Sequence, residues 1–163
     1  MTLAALNSMD LVAFVHAVGW VFEHSPWVAE RAWPLRPFVD LESLHGVMTN
    51  QVESATDSER RALLRAHPDL GTRARVSDAS AAEQTGAGLT QLSAEEFDRV
   101  TRMNEVYKNR FGFPFLYAVK GSVKQEILQA LETRLNHSPE GEFAEALRQV
   151  YRIARFRLEE LLD

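Results

Sequence analysis

Three positions combine a reactive side chain with an unusual setting: His67 in His67-Pro68-Asp69, Glu83 in a stretch of small residues, and Arg157 near the carboxyl end. Pro68 forces His67 out of the helical region, so an imidazole that titrates near neutral pH sits on a rigid, non-helical backbone. The plain alternative is a helix stop with a surface histidine and an aspartate that caps the next turn. Ser80-Ala81-Ala82-Glu83 has capping-box spacing, so Glu83 could merely satisfy the backbone of Ser80. Yet Gln84 and Gly86-Ala87-Gly88 follow at once, and such small residues let a backbone approach a ligand closely. Arg157 lies seven residues after Val150 and four before Leu161, on or beside the apolar stripe of the last helix. It is either a snorkelling side chain with its head in water or the cation of an inward anion site, where the guanidinium fork suits a carboxylate.

The elements that must carry these residues can be placed from capping chemistry. Ser25 before Pro26 predicts a helix through Trp27, Val28 and Ala32 that stops before Pro34. Asp40 is expected to cap Leu41 to about Val52, and Asp57 or Ser58 a segment through Leu64 that His67-Pro68 ends. Ser93 with Glu96 forms a capping box ahead of Phe97, Val100, Met103, Val106 and Tyr107, with Gly112 past the end. Ser122 with Gln125 repeats the device before Ile127, Leu128, Leu131 and Leu135. Pro139 opens the last helix, whose stripe runs Phe143, Leu147, Val150, Ala154, Leu158 and Leu161. No stretch alternates with period two, and Phe113 to Val119 is a continuous apolar run that periodicity does not assign. Residues 71–91 are poor in large apolar side chains, which predicts a loose loop or a segment held for a functional reason. The expectation is an all-α chain, residues 1–163 forming a single-domain bundle of about seven to nine helices.

Composition narrows the chemistry further. With 45% hydrophobic and 25% charged residues in 163, the chain can bury one core, and disordered and collagen-like classes are excluded. It has no cysteine, which removes thiol nucleophiles, thiolate metal sites and disulfide scaffolds. His16, His24, His45 and His137 show no tight ligand spacing, so no metal site is expected. No Gly-x-Gly-x-x-Gly, Gly-x-x-x-x-Gly-Lys or Gly-x-Ser-x-Gly occurs, leaving no seat for a nucleotide cofactor and no serine nucleophile elbow. A formal charge of −5 argues against nucleic acid as partner, although 59–75 is locally basic with Arg60, Arg61, Arg65, Arg73 and Arg75 and could attract an anionic substrate. The longest apolar stretch, Leu11–Phe22, is too short for a bilayer span of about twenty residues, so no membrane is expected as partner. With no basic residue before Arg31 and no Ser-Lys-Leu-type ending, the expected location is the cytoplasm.

Several spaced blocks together resemble one family. They are Glu23-His24-Ser25-Pro26-Trp27-Val28 with Arg36-Pro37-Phe38, then Ala66-His67-Pro68-Asp69-Leu70-Gly71, then Glu83-Gln84 with Gly86-Ala87-Gly88-Leu89. Phe111-Gly112-Phe113-Pro114-Phe115 with Ala118-Val119-Lys120-Gly121, Arg134-Leu135-Asn136 and Arg157-Leu158 follow in order. In this combination the chain resembles the 2-oxo-4-hydroxy-4-carboxy-5-ureidoimidazoline (OHCU) decarboxylases, which complete the conversion of urate to S-allantoin.

The resemblance implies an all-helical, cofactor-free homodimer acting on a small ureidoimidazoline. His67 then matches the catalytic histidine and Glu83 the catalytic carboxylate. Pro68, Ser80 and Gln84 match substrate-holding positions, the backbone of Phe115, Leu116, Tyr117, Ala118 and Val119 lines the pocket, and Arg157 matches the substrate-facing arginine. The substrate explains the missing cofactor: electrons released with CO2 pass into its own unsaturated ring, so no pyridoxal or thiamine sink is required. The competing reading takes the His67-Pro68-Asp69 loop after Arg60-Arg61-Ala62-Leu63-Leu64-Arg65 as a J-domain-like chaperone contact, for which Leu70-Gly71 lacks the polar continuation.

Overall fold

Local capping sets most helix starts. In the computed structural model, which describes residues 1–71 and 77–163, there are nine α-helices and two 3-10 turns among the described residues and no strand. Arg73 and Arg75 of the basic stretch lie outside them. Among the described residues no helix is long and apolar enough to cross a membrane. The chain forms two compact units, residues 1–66 with 151–163, and residues 67–150.

In the first unit α1 (Leu3–Asn7) and α2 (Leu11–Val18) are capped by Thr2 and Asp10, whose side chains accept from the backbone N–H three residues on. A 3-10 turn at Gly19–Val21 leads to α3 (Trp27–Ala32), a second 3-10 turn at Trp33–Leu35, and α4 (Leu41–Glu53), where Asp40 accepts from Ser43 at 2.7 Å. The capping of α5 (Asp57–Arg65) differs from expectation. Thr56 is the cap, in a reciprocal box with Glu59, so Asp57 falls in the first turn, where a carboxylate favours the helix dipole. Ser25 does not cap α3 either; its hydroxyl donates to Glu23 O at 2.8 Å and Pro26 takes the cap position. Phe14, Val18, Phe22, Val28, Leu44, Met48, Leu63 and Leu158 are buried here.

The second unit holds α6 (Asp78–Gly86), α7 (Ala94–Phe111), α8 (Lys124–Arg134) and the first half of α9 (Pro139–Leu161). Ser93 and Glu96 form the expected box on α7, and Gly112 ends it at φ +82°, a left-handed value that glycine adopts without strain. The Ser122 cap is not formed: Val123 occupies the cap position of α8 and the Ser122 hydroxyl lies 3.3 Å from the Tyr117 phenol oxygen. Residues 113–119 are neither helix nor strand. Their apolar side chains instead pack as a connector, with Phe113, Phe115, Leu116, Ala118 and Val119 all buried.

Candidate active site

α5 ends at Arg65 and Ala66 caps it, so His67 leaves the helix as Pro68 requires. His67 is 7% exposed, which removes the surface-histidine alternative. Each of the three residues after Pro68 is held by a different side chain. Asp69 Oδ2 accepts from Lys108 Nζ at 2.8 Å, Leu70 O accepts from Asn104 Nδ2 at 3.0 Å, and Gly71 N donates to Gln84 Oε1 at 3.0 Å. Leu70 O and Gly71 N belong to one peptide group, which is thus bonded at both poles. Gly71 has φ +70°, and a Cβ there would meet Leu92 Cδ1 at 2.9 Å, so a larger residue would deform the turn.

Ser77, not Ser80, caps α6: Ser77 Oγ accepts from Ser80 N at 3.2 Å. Ser80 and Glu83 therefore lie inside the helix, and the capping-box reading of Glu83 falls. Ser80, Glu83 and Gln84 are spaced i, i+3, i+4 and share one face, on which Ser80 and Gln84 are buried. The bond from Gly71 orients the Gln84 amide, since an N–H must meet its oxygen. Its Nε2 is left buried without a hydrogen-bond partner among the described residues. A buried amide donor of this kind suits a ligand's carbonyl oxygen.

The connector 113–119 is fixed from below by a buried charged network that the sequence reading did not find. Arg134 donates to Leu116 O at 2.5 Å and to both carboxylate oxygens of Glu142, Nε at 2.8 Å from Oε1 and Nη2 at 2.8 Å from Oε2. Its guanidinium lies 4.5 Å from the Phe115 ring centroid. Tyr107 donates to Glu142 Oε2, and its ring packs against Phe111, Phe113 and Phe115. Burial, reinforced by the Glu142 carboxylate, pushes the Tyr107 phenol well above its ordinary value. Burial works against the Arg134 charge, but Glu142 outweighs it and the net direction is upward. Gln149 Oε1 accepts from Ala118 N at 2.9 Å. The amide N–H groups of 115–117 and 119 have no hydrogen-bond partner among the described residues. Glu142 follows Arg134 by eight residues across a helix break, a spacing no local pattern flags.

Arg157 does not snorkel: it is 2% exposed and belongs to the first unit. Its Nη2 donates to Glu23 Oε2 at 2.9 Å, and Nη1 lies 3.3 and 3.4 Å from the carbonyl oxygens of Trp20 and Val21. A carboxylate partner of Arg157 is therefore Glu23, itself 2% exposed, a residue that the sequence reading did not pair with it. Its signal was a lone acid directly after the longest apolar stretch, Leu11–Phe22. His24, next in the chain, holds φ +46°, a strained value for a residue with a side chain.

The sequence model of one protein family, described as OHCU decarboxylase, matches residues 7–159. The chain belongs to the OHCU decarboxylase family. The 2-oxo-4-hydroxy-4-carboxy-5-ureidoimidazoline decarboxylase of Haloferax volcanii is 47% identical over 98% of this chain and 95% of its own length. Two Bacillus proteins, each named a uric acid degradation bifunctional protein, are 44% and 47% identical over 99% of this chain, which spans only 32% and 33% of their length. A crystal structure of (S)-allantoin synthase superposes with TM-score 0.79 at 30% identity, covering all of this chain and 54% of that one. Membership of a decarboxylase family leaves the J-domain-like alternative without support.

Proposed function

We propose that this OHCU decarboxylase family member converts 2-oxo-4-hydroxy-4-carboxy-5-ureidoimidazoline to S-allantoin and CO2. The observation that carries the reading is that the buried His67 loop and the Ser80-Glu83-Gln84 face of α6 lie in one compact unit and are tied together through the Gln84–Gly71 hydrogen bond. Whole-length similarity to named decarboxylases supports the substrate.

The substrate bears hydroxyl and carboxylate on one ring carbon beside an unsaturated one. When the carbon–carboxylate bond breaks, its electron pair forms a double bond to the neighbouring carbon, and the pair displaced from that carbon's ring C=N bond passes to the nitrogen, which takes up a proton from solvent. The hydroxyl then becomes a carbonyl by losing its proton, and the neighbouring carbon gains a proton on one face. The protein must hold the carboxylate out of the ring plane and handle these last two protons. We assign the hydroxyl proton and its shuttling to His67, and orientation of the substrate within the same proton chain to Glu83. Ser80, Gln84 and the backbone of 115–119 are assigned to the oxygen and nitrogen atoms of the ring and ureido group, and Pro68, which has no N–H to donate, to contact with the substrate through its ring or its carbonyl oxygen. Arg157 is assigned to ring carbonyl or ureido groups, because a cation against the departing carboxylate would stabilise the ground state and slow its loss. The proposal extends to one decarboxylase domain working as a cofactor-independent homodimer in the cytoplasm. The exposed apolar side chains of Val12, Leu35 and Val39 are surface that a second copy would cover.

The test supplies freshly generated substrate from enzymatic urate oxidation and follows optically active allantoin. Faster appearance of the S enantiomer is expected; a rate equal to the spontaneous one would discard the reading.

A further inference from the structure

The Asn104–Leu70 and Lys108–Asp69 contacts come from one helix. Asn104 and Lys108 are spaced i, i+4 on α7 and reach successive residues of the loop that follows His67. We infer that Asn104 and Lys108 are positioning residues for His67, acting through the Asp69–Leu70–Gly71 segment without touching substrate themselves.

The chemistry of each contact favours placement of the loop over bulk stability. Asn104 is 4% exposed and its Nδ2 donates to Leu70 O, which orients the amide and leaves Oδ1 without a partner among the described residues. Leaving a buried acceptor open is unfavourable, and an apolar residue of similar size would avoid it, so the amide's use lies in the bond it does make. That bond holds the carbonyl pole of the peptide whose N–H pole is held by Gln84 on α6. With both poles fixed, this peptide cannot rotate, and His67 stands three residues before Leu70 on a backbone already stiffened by Pro68. The Lys108–Asp69 pair is partly exposed, with side chains 43% and 28% accessible, and contributes little to folding on its own. Its value is directional: it fixes the residue between Pro68 and the clamped peptide. A loop carrying a proton-transfer group needs such restraint, since a displacement of about 1 Å costs on the order of a hundredfold in rate.

This inference rests on the decarboxylase reading, and the experiment separates the two. Asn104→Ala, Lys108→Met and Lys108→Arg are compared with wild type in steady-state decarboxylation and in hydrogen–deuterium exchange of the peptide covering residues 66–71. The expected result for Asn104→Ala is a kcat at least about tenfold lower with KM within about threefold, together with at least about tenfold faster exchange at Gly71. Lys108→Met lowers kcat by about two- to threefold and Lys108→Arg restores it, since the surface pair is weak and Arg renews it. A folded Asn104→Ala with kcat within twofold of wild type, or with unchanged exchange at 66–71, overturns the inference, as does a Lys108→Arg no better than Lys108→Met. Wild type that fails to turn over substrate defeats the decarboxylase reading instead, and exchange alone then judges the clamp.

Discussion

Replacing Arg134 by Met tests the buried network under the 113–119 connector. The substitution keeps an unbranched stem of similar reach but removes the cation, leaving the Glu142 carboxylate, wholly buried in the native chain, to Tyr107 and to the His137 ring nitrogen 3.3 Å away. Breaking a buried pair by removing one partner costs about 3–5 kcal/mol, because the surviving charge is desolvated without compensation. For a chain of this size each kcal/mol lowers Tm by about 2–4 °C, so the expected drop is about 6–20 °C, read by thermal and urea denaturation. The triple variant Arg134→Met/Tyr107→Phe/Glu142→Leu removes all the charge and should recover most of that loss. It should stay about 1–3 kcal/mol below wild type, the cost of leaving buried Leu116 O without its donor. Turnover separates from stability. The triple variant should remain at least about tenfold slower than wild type, since nothing then anchors the carbonyl that sets the 115–117 backbone. A single variant costing less than about 1 kcal/mol, or a triple variant with wild-type turnover, would refute the reasoning.

His67→Asn and Glu83→Gln should each leave the melting curve within about 1 kcal/mol of wild type while lowering kcat by about 10²- to 10⁴-fold, as expected for groups that move protons; a melting shift with normal turnover would return either to a structural role. Arg157→Lys keeps a charge for Glu23 but loses the fork that also reaches the Trp20 and Val21 carbonyls, so it should raise KM and lower Tm modestly, and an unchanged KM would remove Arg157 from substrate binding. The Arg31 hydrogen bond, with the Thr56 backbone N–H, holds the Glu59 carboxyl down to about 2 from 4.5. Because the folded value is the lower one, this stabilisation is present above about pH 4.5 and lost as pH falls toward 2. The Tm gap between wild type and Glu59→Gln should therefore be open at about pH 6 and closed by about pH 2; a gap independent of pH would contradict it.

The helical class, the boxes at Ser93–Glu96 and the stop at His67-Pro68 were legible in the sequence because each rests on contacts within four residues along the chain. The same local rules produced the misplaced caps. Asp57, Ser58 and Ser122 are competent cap residues, and whether each caps depends on where the neighbouring turn enters, which Thr56 and Val123 decided. The His67, Glu83 and Arg157 candidates stood out through residue type, helical phase and the resemblance of spaced blocks. The burial of His67, the placing of Glu83 inside α6 and the orientation of the Gln84 amide came from tertiary structure. So did the partners of the buried charges. Glu23 meets Arg157 across 134 residues, Asn104 meets Leu70 across 34, and Tyr107 meets Glu142 across 35. No periodicity encodes such pairs, because a buried polar group constrains only that some partner arrive, while the path of the intervening helices selects which one does.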